Sequence, residues 1–259
     1  MTLRLTILGS GTSHGIPMIG CDCPVCTSTD PRDHRTRASA LFSIDGRHLL
    51  VDTSPELRLQ CLRNGVRHVD AILVTHAHAD HVVGLDDVRR FNDGMSPLVV
   101  HGSAATLARV RAMFDYAFVD DPEYPSAKPM LRAVAVDGPF ELFGWRVTPI
   151  PYAHGPTTVF GYRIGDVAYC PDCSSVPEAS RRLLAGLDVL VLDALRRRAH
   201  PTHFNLEQAI AEAQRIGARR TYFTHIAHEL GHASTNAELP AGMELAYDGL
   251  VCAVDGSAV

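Results

Sequence analysis

Short apolar runs, each closed by glycine, proline, aspartate or histidine, recur along the whole chain, and their length and period separate strands from helices. Residues 1–9 read as a first strand ending on Gly9. Residues 38–44 and 48–52 are apolar or alternating and are joined by Asp45-Gly46, a hairpin turn signal. Ser54-Pro55-Glu56 reads as a helix start with Ser54 as cap and proline in the first turn, and Gly65 closes that helix. Residues 71–74 are uncharged, as in a strand covered on both faces. A short helix over 82–90, a strand over 98–101 and a capped amphipathic helix over 103–114 follow. In the second half, 145–149, 159–164 and 167–170 read as strands, with Gly165-Asp166 as a turn. Next come a helix near 177–185, a buried strand over 189–193, a helix over 206–216 capped by Asn205 and ended by Gly217, and a strand over 220–224. Two last strands, 244–247 and 250–254, flank Asp248-Gly249.

Alternation of strands and helices over 259 residues predicts one α/β domain with a sizeable core. Two stretches fall outside the pattern. Residues 10–37 form a long loop, which inside a compact domain requires a staple or a function. Residues 116–129 are acidic, aromatic and proline-rich, and read as an inserted loop or lid near the site.

Composition narrows the function. With 46% apolar and 20% charged residues and a formal charge of −5, the chain has no general attraction to nucleic acid. Lys128 is the one lysine, every other basic side chain being arginine. The N-terminal apolar run is too short for a signal peptide, and no run approaches the roughly 18 residues of a membrane span, so a cytoplasmic protein with no membrane partner is expected. Seven cysteines, three of them in Cys21-Asp22-Cys23-Pro24-Val25-Cys26, suit a metal in a reducing compartment better than a disulfide framework.

The chemistry concentrates at the end of the 71–74 strand, in Thr75-His76-Ala77-His78-Ala79-Asp80-His81. His76 and His78 project to one side of a still extended backbone, while Asp80 and His81 follow after the chain turns. Two pairs of ligands aimed in different directions suit two cations about 3.5–4 Å apart. His154, Asp172 and His225 each stand just beyond an apolar strand, where a strand scaffold holds ligands rigidly at one rim. All of these donors are nitrogen or oxygen, which fits Zn²⁺, Mn²⁺ or Fe²⁺. Asp52 and Asp193, also at strand ends, read either as acceptors for histidine N–H groups or as helix and turn caps. Cys170-Pro171-Asp172-Cys173 spells a redox motif, yet its aspartate fits a metal better. Cys21, Cys23 and Cys26 need a fourth ligand for tetrahedral zinc, and His228, three residues past His225, is the best candidate for a closed structural site that staples the 10–37 loop.

The HxHxDH pattern resembles the signature of the metallo-β-lactamase superfamily. That resemblance implies a four-layer αββα sandwich. It also implies that His76, His78 and His154 hold one cation, Asp80, His81 and His225 the other, and that Asp172 bridges them. With the CxCxxC loop and Thr224-His225-Ile226-Ala227-His228, the chain is further similar to PhnP-type phosphodiesterases, which act on phosphoribosyl cyclic phosphate. The resemblance runs from Leu8-Gly9-Ser10-Gly11-Thr12 to His228 and departs at 116–129. It implies a small phosphodiester substrate, a cyclic sugar phosphate being the expected form, two active-site Mn or Zn ions and one structural Zn. Two cations can hold a shared water as hydroxide near neutral pH, giving the nucleophile. Asp80 and His203 are assigned direct catalytic roles, with His203 resembling the general acid and His200 as the other candidate. Rival readings are a tRNA-processing-type nuclease of the same superfamily and a non-catalytic metal-dependent carrier, as in quinone cofactor biosynthesis. Oligomeric state is not written in the sequence, and a homodimer is the working expectation.

Overall fold

The structure, a computed structural model, describes residues 2–92, 96–119 and 126–255. Its strands are β1 (Thr2–Gly9), β2 (Ser39–Ile44), β3 (Arg47–Val51), β4 (Ala71–Leu73), β5 (Leu98–Gly102), β6 (Leu131–Ala135), β7 (Phe140–Leu142), β8 (Trp145–His154), β9 (Thr157–Ile164), β10 (Val167–Cys170), β11 (Val189–Asp193), β12 (Arg220–Thr224), β13 (Met243–Leu245) and β14 (Val251–Asp255). They form two seven-stranded mixed sheets, ordered β14-β1-β2-β3-β4-β5-β6 and β13-β12-β11-β10-β9-β8-β7. Helices α1 (Leu57–Arg63), α2 (Ala79–Val82) and α3 (Ala104–Met113) lie in the first half, and α4 (Glu178–Leu183), α5 (Leu206–Ile216) and α6 (His232–Asn236) in the second.

Three apolar clusters make the layers. Leu5, Ile7, Phe42, Leu73, Tyr162, Tyr169 and Val191 fill the space between the sheets. Leu50, Ile72, Val74, Leu107 and Val110 pack the first sheet against α1 and α3. Leu190, Leu192, Ala209, Ala213 and Phe223 pack the second against α4 and α5. The order is therefore helix, sheet, sheet, helix, the expected four-layer sandwich. Central strands are buried on both faces, which explains their unbroken apolar runs: in β4, Ala71 and Leu73 face the other sheet while Ile72 faces the helices. Helix α5 carries Leu206, Ala209, Ala213 and Ile216 on one face, closes its first turn with an Asn205–Gln208 capping box and ends on Gly217 at φ +73°.

Several expectations need correction. Helix α1 starts at Leu57, and Ser54 does not cap it; the Ser54 hydroxyl donates to Gln60 Oε1 at 3.0 Å. The predicted 82–90 helix is a 3-10 segment, Val83–Phe91, after the four-residue α2. Its backbone bonds are diverted sideways: Gly84 N donates to Thr53 O at 2.9 Å and Thr53 N to His81 O at 2.7 Å. Strand β8 runs on through Pro149 and Pro151 to His154 itself. The strand expected over 244–247 is Met243–Leu245, and the last two strands part company, β13 edging one sheet and β14 the other. Strands β6 and β7 and helix α6 escaped the sequence reading; β6 and β7 are half-exposed and short, so neither shows a clean period. Of the 116–129 stretch, 120–125 lie outside the described residues. On its near flank, Tyr116 donates to Asp86 Oδ1 at 2.6 Å and packs with Phe118 against the helix-side core of the first sheet. Among the described residues no helix is long and apolar enough to cross a membrane.

Candidate metal centre

Strand direction assembles the site. β3 and β4 are parallel, as are β10, β11 and β12, and β8 reaches the same direction through two antiparallel steps across β9. Their C-terminal ends therefore share one rim, where Asp52, the 76–81 segment, His154, Asp172, Asp193 and His225 follow. The sheets are tied together there: Tyr162 donates its hydroxyl to Val74 O at 2.8 Å, and Phe160 N donates to Thr75 O at 3.2 Å. Asp52, Asp172 and His225 have φ of +61°, +52° and +59°. Non-glycine residues in this region cost of order 1 kcal/mol or more each, so the surrounding packing holds them in a strained turn that aims their side chains.

Two donor groups result. One ligand atom each from His76, His78, His154 and Asp172 lie within 4.8 Å of one another, and the same holds for Asp80, His81, Asp172 and His225. Asp172 belongs to both. Its Oδ1 is 3.1 Å from His81 Nε2 and 3.3 Å from His225 Nε2, and its Oδ2 is 3.7 Å from His76 Nε2. Asp80 Oδ2 lies 3.4 Å from His81 Nε2 and 3.6 Å from His225 Nε2. The seven side chains expected from the sequence thus converge, in the two groups the resemblance implied.

Whether these residues fit a cation is tested by their unmet polar atoms. His76 Nε2, His81 Nε2, His225 Nε2 and Asp172 Oδ1 are buried without a hydrogen-bond partner. Buried polar atoms in folded proteins are nearly always paired, and three orphaned imidazole nitrogens around one carboxylate, itself with an orphaned oxygen, are what a cation-binding cluster presents. At His76, His81 and His154 the opposite nitrogen is occupied, whereas His225 Nδ1 lies 3.9 Å from Asp193 Oδ1. His81 Nδ1 meets Asp52 Oδ2 at 2.7 Å, His154 Nδ1 donates to Thr202 O at 2.8 Å, and His76 Nδ1 lies 3.0 Å from the Thr75 hydroxyl. For His81 and His154 these contacts fix the tautomer that leaves Nε2 a lone pair. Asp52 is therefore the histidine acceptor and not a helix cap, and it also takes Thr75 N and Oγ1, both at 2.8 Å.

The local field agrees. Burial holds His76 and His78 below the usual imidazole value and brings His154 down to about 4, so their rings are neutral. Burial would raise the Asp80 and Asp172 carboxyls, yet His81 and His225 outweigh it and keep both ionised. Burial would lower the His81 imidazole, but Asp172, Asp80 and Asp52 raise it, so a positive charge is favoured at Nε2, a proton or a cation in its place, while Nδ1–H stays with Asp52. A negative surround that retains a proton there also attracts a cation.

His203 stands beside the cluster, its ring 4.7 Å from both His154 and His225 and stacked on the latter at 8°. Its Nδ1 meets Asp193 Oδ2 at 2.9 Å, the oxygen that also accepts Cys173 N at 2.8 Å. His200 lies further out, its ring 5.1 Å from that of His203, its Nδ1 accepting from the Thr202 hydroxyl at 3.2 Å. Both thiols of the 170–173 motif are buried and raised by burial, which removes the thiolate a redox role needs.

The second cluster sits under the 10–37 loop. Cys21, Cys23 and Cys26 Sγ lie 3.1, 3.4 and 3.7 Å from His228 Nδ1. The Cys26 N–H donates to Cys23 Sγ at 3.4 Å and brings that thiol down to about 6, whereas burial pushes Cys26 up to about 11. The sequence reading missed a latch beside it. Arg35, 1% exposed, donates to the carbonyls of Ala227 and Leu230 on either side of His228, at 3.3 and 2.8 Å, and pairs with Asp33 at 3.0 Å. Asp33 in turn accepts His232 N at 2.7 Å. No local pattern marks a buried arginine whose partners are backbone carbonyls far along the chain.

With fold and centre in place, the class is clear: the chain belongs to the beta-lactamase superfamily, whose domain model matches residues 47–226, and the fold implies divalent metal binding. Among solved structures it is similar to a diphosphatase of the PhnP family, at 44% identity and TM-score 0.92 over 98% of each chain. It is also similar to Zn²⁺-bound PqqB from Methylobacterium extorquens, at 25% identity and TM-score 0.77 over 96% of this chain and 99% of that one. A curated relative named octanoyltransferase, from Porphyromonas gingivalis, is 37% identical over 98% of this chain; the chain spans about half of that protein, 52% of its length. The chain is thus a member of that superfamily with the metallo-β-lactamase fold, similar throughout its length to the PhnP-family diphosphatase.

Proposed function

We propose that the protein is a dinuclear metal-dependent hydrolase that cleaves a small phosphodiester, with a cyclic sugar phosphate as the preferred form. The observation that carries this reading is the Asp172 carboxylate standing between two sets of neutral or cation-ready imidazoles, with Nε2 atoms 3.1, 3.3 and 3.7 Å away. His76, His78 and His154 would hold one Zn or Mn ion, Asp80, His81 and His225 the second, and Asp172 both. When bound, such a pair lowers the pKa of water and takes up charge developing on a phosphoryl group. Asp80, kept ionised between His81 and His225, orients the attacking water. His203 delivers a proton to the departing alkoxide, and the Asp193 carboxylate behind Nδ1 stabilises the ring while it carries that proton. The Cys21, Cys23, Cys26 and His228 cluster would hold one structural Zn, a closed site with no chemistry of its own.

A second reading, hydrolysis of a phosphoanhydride, is favoured by the 44% identity to the PhnP-family diphosphatase. The nuclease and carrier readings have less support: the nuclease resemblance, to human tRNase Z short form at 17% identity, is one of fold. Turnover of metal-loaded protein on a panel decides: bis-nitrophenyl phosphate, ribose cyclic phosphates, 2′,3′-cyclic nucleotides, dinucleoside diphosphates and precursor tRNA. Fastest cleavage of the cyclic sugar phosphates supports the proposal. Cleavage confined to the anhydrides supports the second reading. RNA trimming, or inert metal-loaded protein, refutes both.

A further inference from the structure

Helix α1 follows β3 and the 3-10 segment 83–91 follows the 76–81 cluster, so the two lie side by side on the outer face of the first sheet. Between them is a cavity of about 490 Å³ that shares no lining residue with the metal centre. Small-ligand sites span about 300–1,000 Å³. Its floor is apolar, made by Leu57, Cys61, Val66 and Phe91. Leu62 stands at its edge, 66% exposed, in a position where water gains nothing from it.

The rim is basic. Arg58, Arg67 and Arg90 are exposed and face one carboxylate, Asp87. Among the described residues none of the three arginines makes a hydrogen bond or an ion pair, whereas Arg47, Arg181, Arg198 and Arg219 elsewhere on the surface are all engaged. Three unpaired guanidinium groups around an apolar floor repel one another unless an anion joins them. A second copy placing the same rim here would set arginine against arginine. An inorganic anion would leave the floor wet. The occupant that satisfies both parts has an aliphatic body and an anionic head.

We propose that the cavity between α1 and the 83–91 segment binds a small amphiphilic anion, its aliphatic chain over Leu57, Cys61 and Phe91 and its carboxylate or phosphate head on Arg58, Arg67 and Arg90. Guanidinium groups pair with both heads through two parallel N–H bonds, which makes the head the source of specificity and the floor the source of affinity. The site is additional to the hydrolytic reading and does not depend on it.

Calorimetric titration of the purified full chain with decyl phosphate, decanoate, decanol and inorganic phosphate tests the proposal. One equivalent of decyl phosphate or decanoate is expected to bind at least tenfold more tightly than decanol or phosphate. The triple variant Arg58→Gln, Arg67→Gln, Arg90→Gln should lose that binding tenfold or more while its thermal midpoint and metal content stay as in the wild type. Leu62→Asp should weaken the alkyl ligands and leave the rest unchanged. Equal binding of decanol, or decyl phosphate bound undiminished by the triple variant, as it would be at the metal centre, overturns the proposal. So does binding only to vesicles of anionic lipid, which would make the patch a membrane contact.

Discussion

Replacing Asp52 by asparagine probes the centre without touching a proposed ligand. Asparagine matches the shape of aspartate and tolerates the left-handed backbone at φ +61°, so the turn survives. Asn Oδ1 keeps the bond from Thr75 N, and the Thr75 hydroxyl can turn to accept from the new amide. His81 Nδ1, 2.7 Å from the replaced oxygen, now faces a donor and must itself accept. Its proton moves to Nε2, the atom 3.1 Å from Asp172 and 3.4 Å from Asp80. A protonated Nε2 has no lone pair for a cation. Recovering the ligating tautomer forfeits a hydrogen bond to a charged acceptor, about 1.5–3 kcal/mol, and so about 10–100-fold in affinity for one cation. Asp52→Asn is therefore expected to bind the cation shared by Asp80, His81 and His225 about 10–100-fold more weakly, with the other held as in the wild type. Chelator competition with Mn²⁺ or Zn²⁺ measures both affinities, and thermal denaturation confirms that the variant folds. Wild-type affinity at both positions in a folded variant would refute the tautomer argument.

Other consequences are equally direct. His203→Ala should lose far more rate on a diester with a poor leaving group than on a nitrophenyl ester, and equal losses on both would remove its role as proton donor. Arg35→Met leaves Asp33 charged and buried and frees two carbonyls flanking His228, at a cost of about 3–5 kcal/mol; urea unfolding giving less than about 1 kcal/mol would contradict the latch. His101 is buried against Phe140 with both ring nitrogens unpartnered, and burial brings it down to about 4. Between pH 6.5 and 4 the unfolded chain takes a proton that the folded chain refuses, so His101 removes stability as pH falls through that window. His101→Phe should therefore stabilise the protein, with an advantage that grows by about 3 kcal/mol from pH 7 to pH 4; an advantage that shrinks over that range would contradict the assignment.

What the chain disclosed and what it hid divide along a physical line. Central strands buried on both faces read as apolar runs, so β4, β10, β11 and β12 were legible, and with them the rim residues each strand delivers. Helix α5 was legible because its cap, its face and its terminal Gly217 are all local. Edges were not: β6 alternates weakly and β7 is three residues long. Tertiary contacts overrode local signals at Ser54, whose hydroxyl goes to Gln60, and in the 83–91 segment, whose backbone bonds leave the helix for Thr53. Donor identity was readable for the metal centre, since histidine and aspartate are the chemistry. The partners that fix tautomers were half readable: Asp52 and Asp193 stand at strand ends, but the Thr202 carbonyl that holds His154 has no signature in any sequence.

Metal-edge anomalous scattering from crystals of the purified protein tests the central claim most directly. Two peaks are expected on either side of the Asp172 carboxylate, one among His76, His78 and His154 and one among Asp80, His81 and His225, with a third among Cys21, Cys23, Cys26 and His228. A single peak at the histidine cluster, or a pair not shared by Asp172, would contradict the dinuclear account.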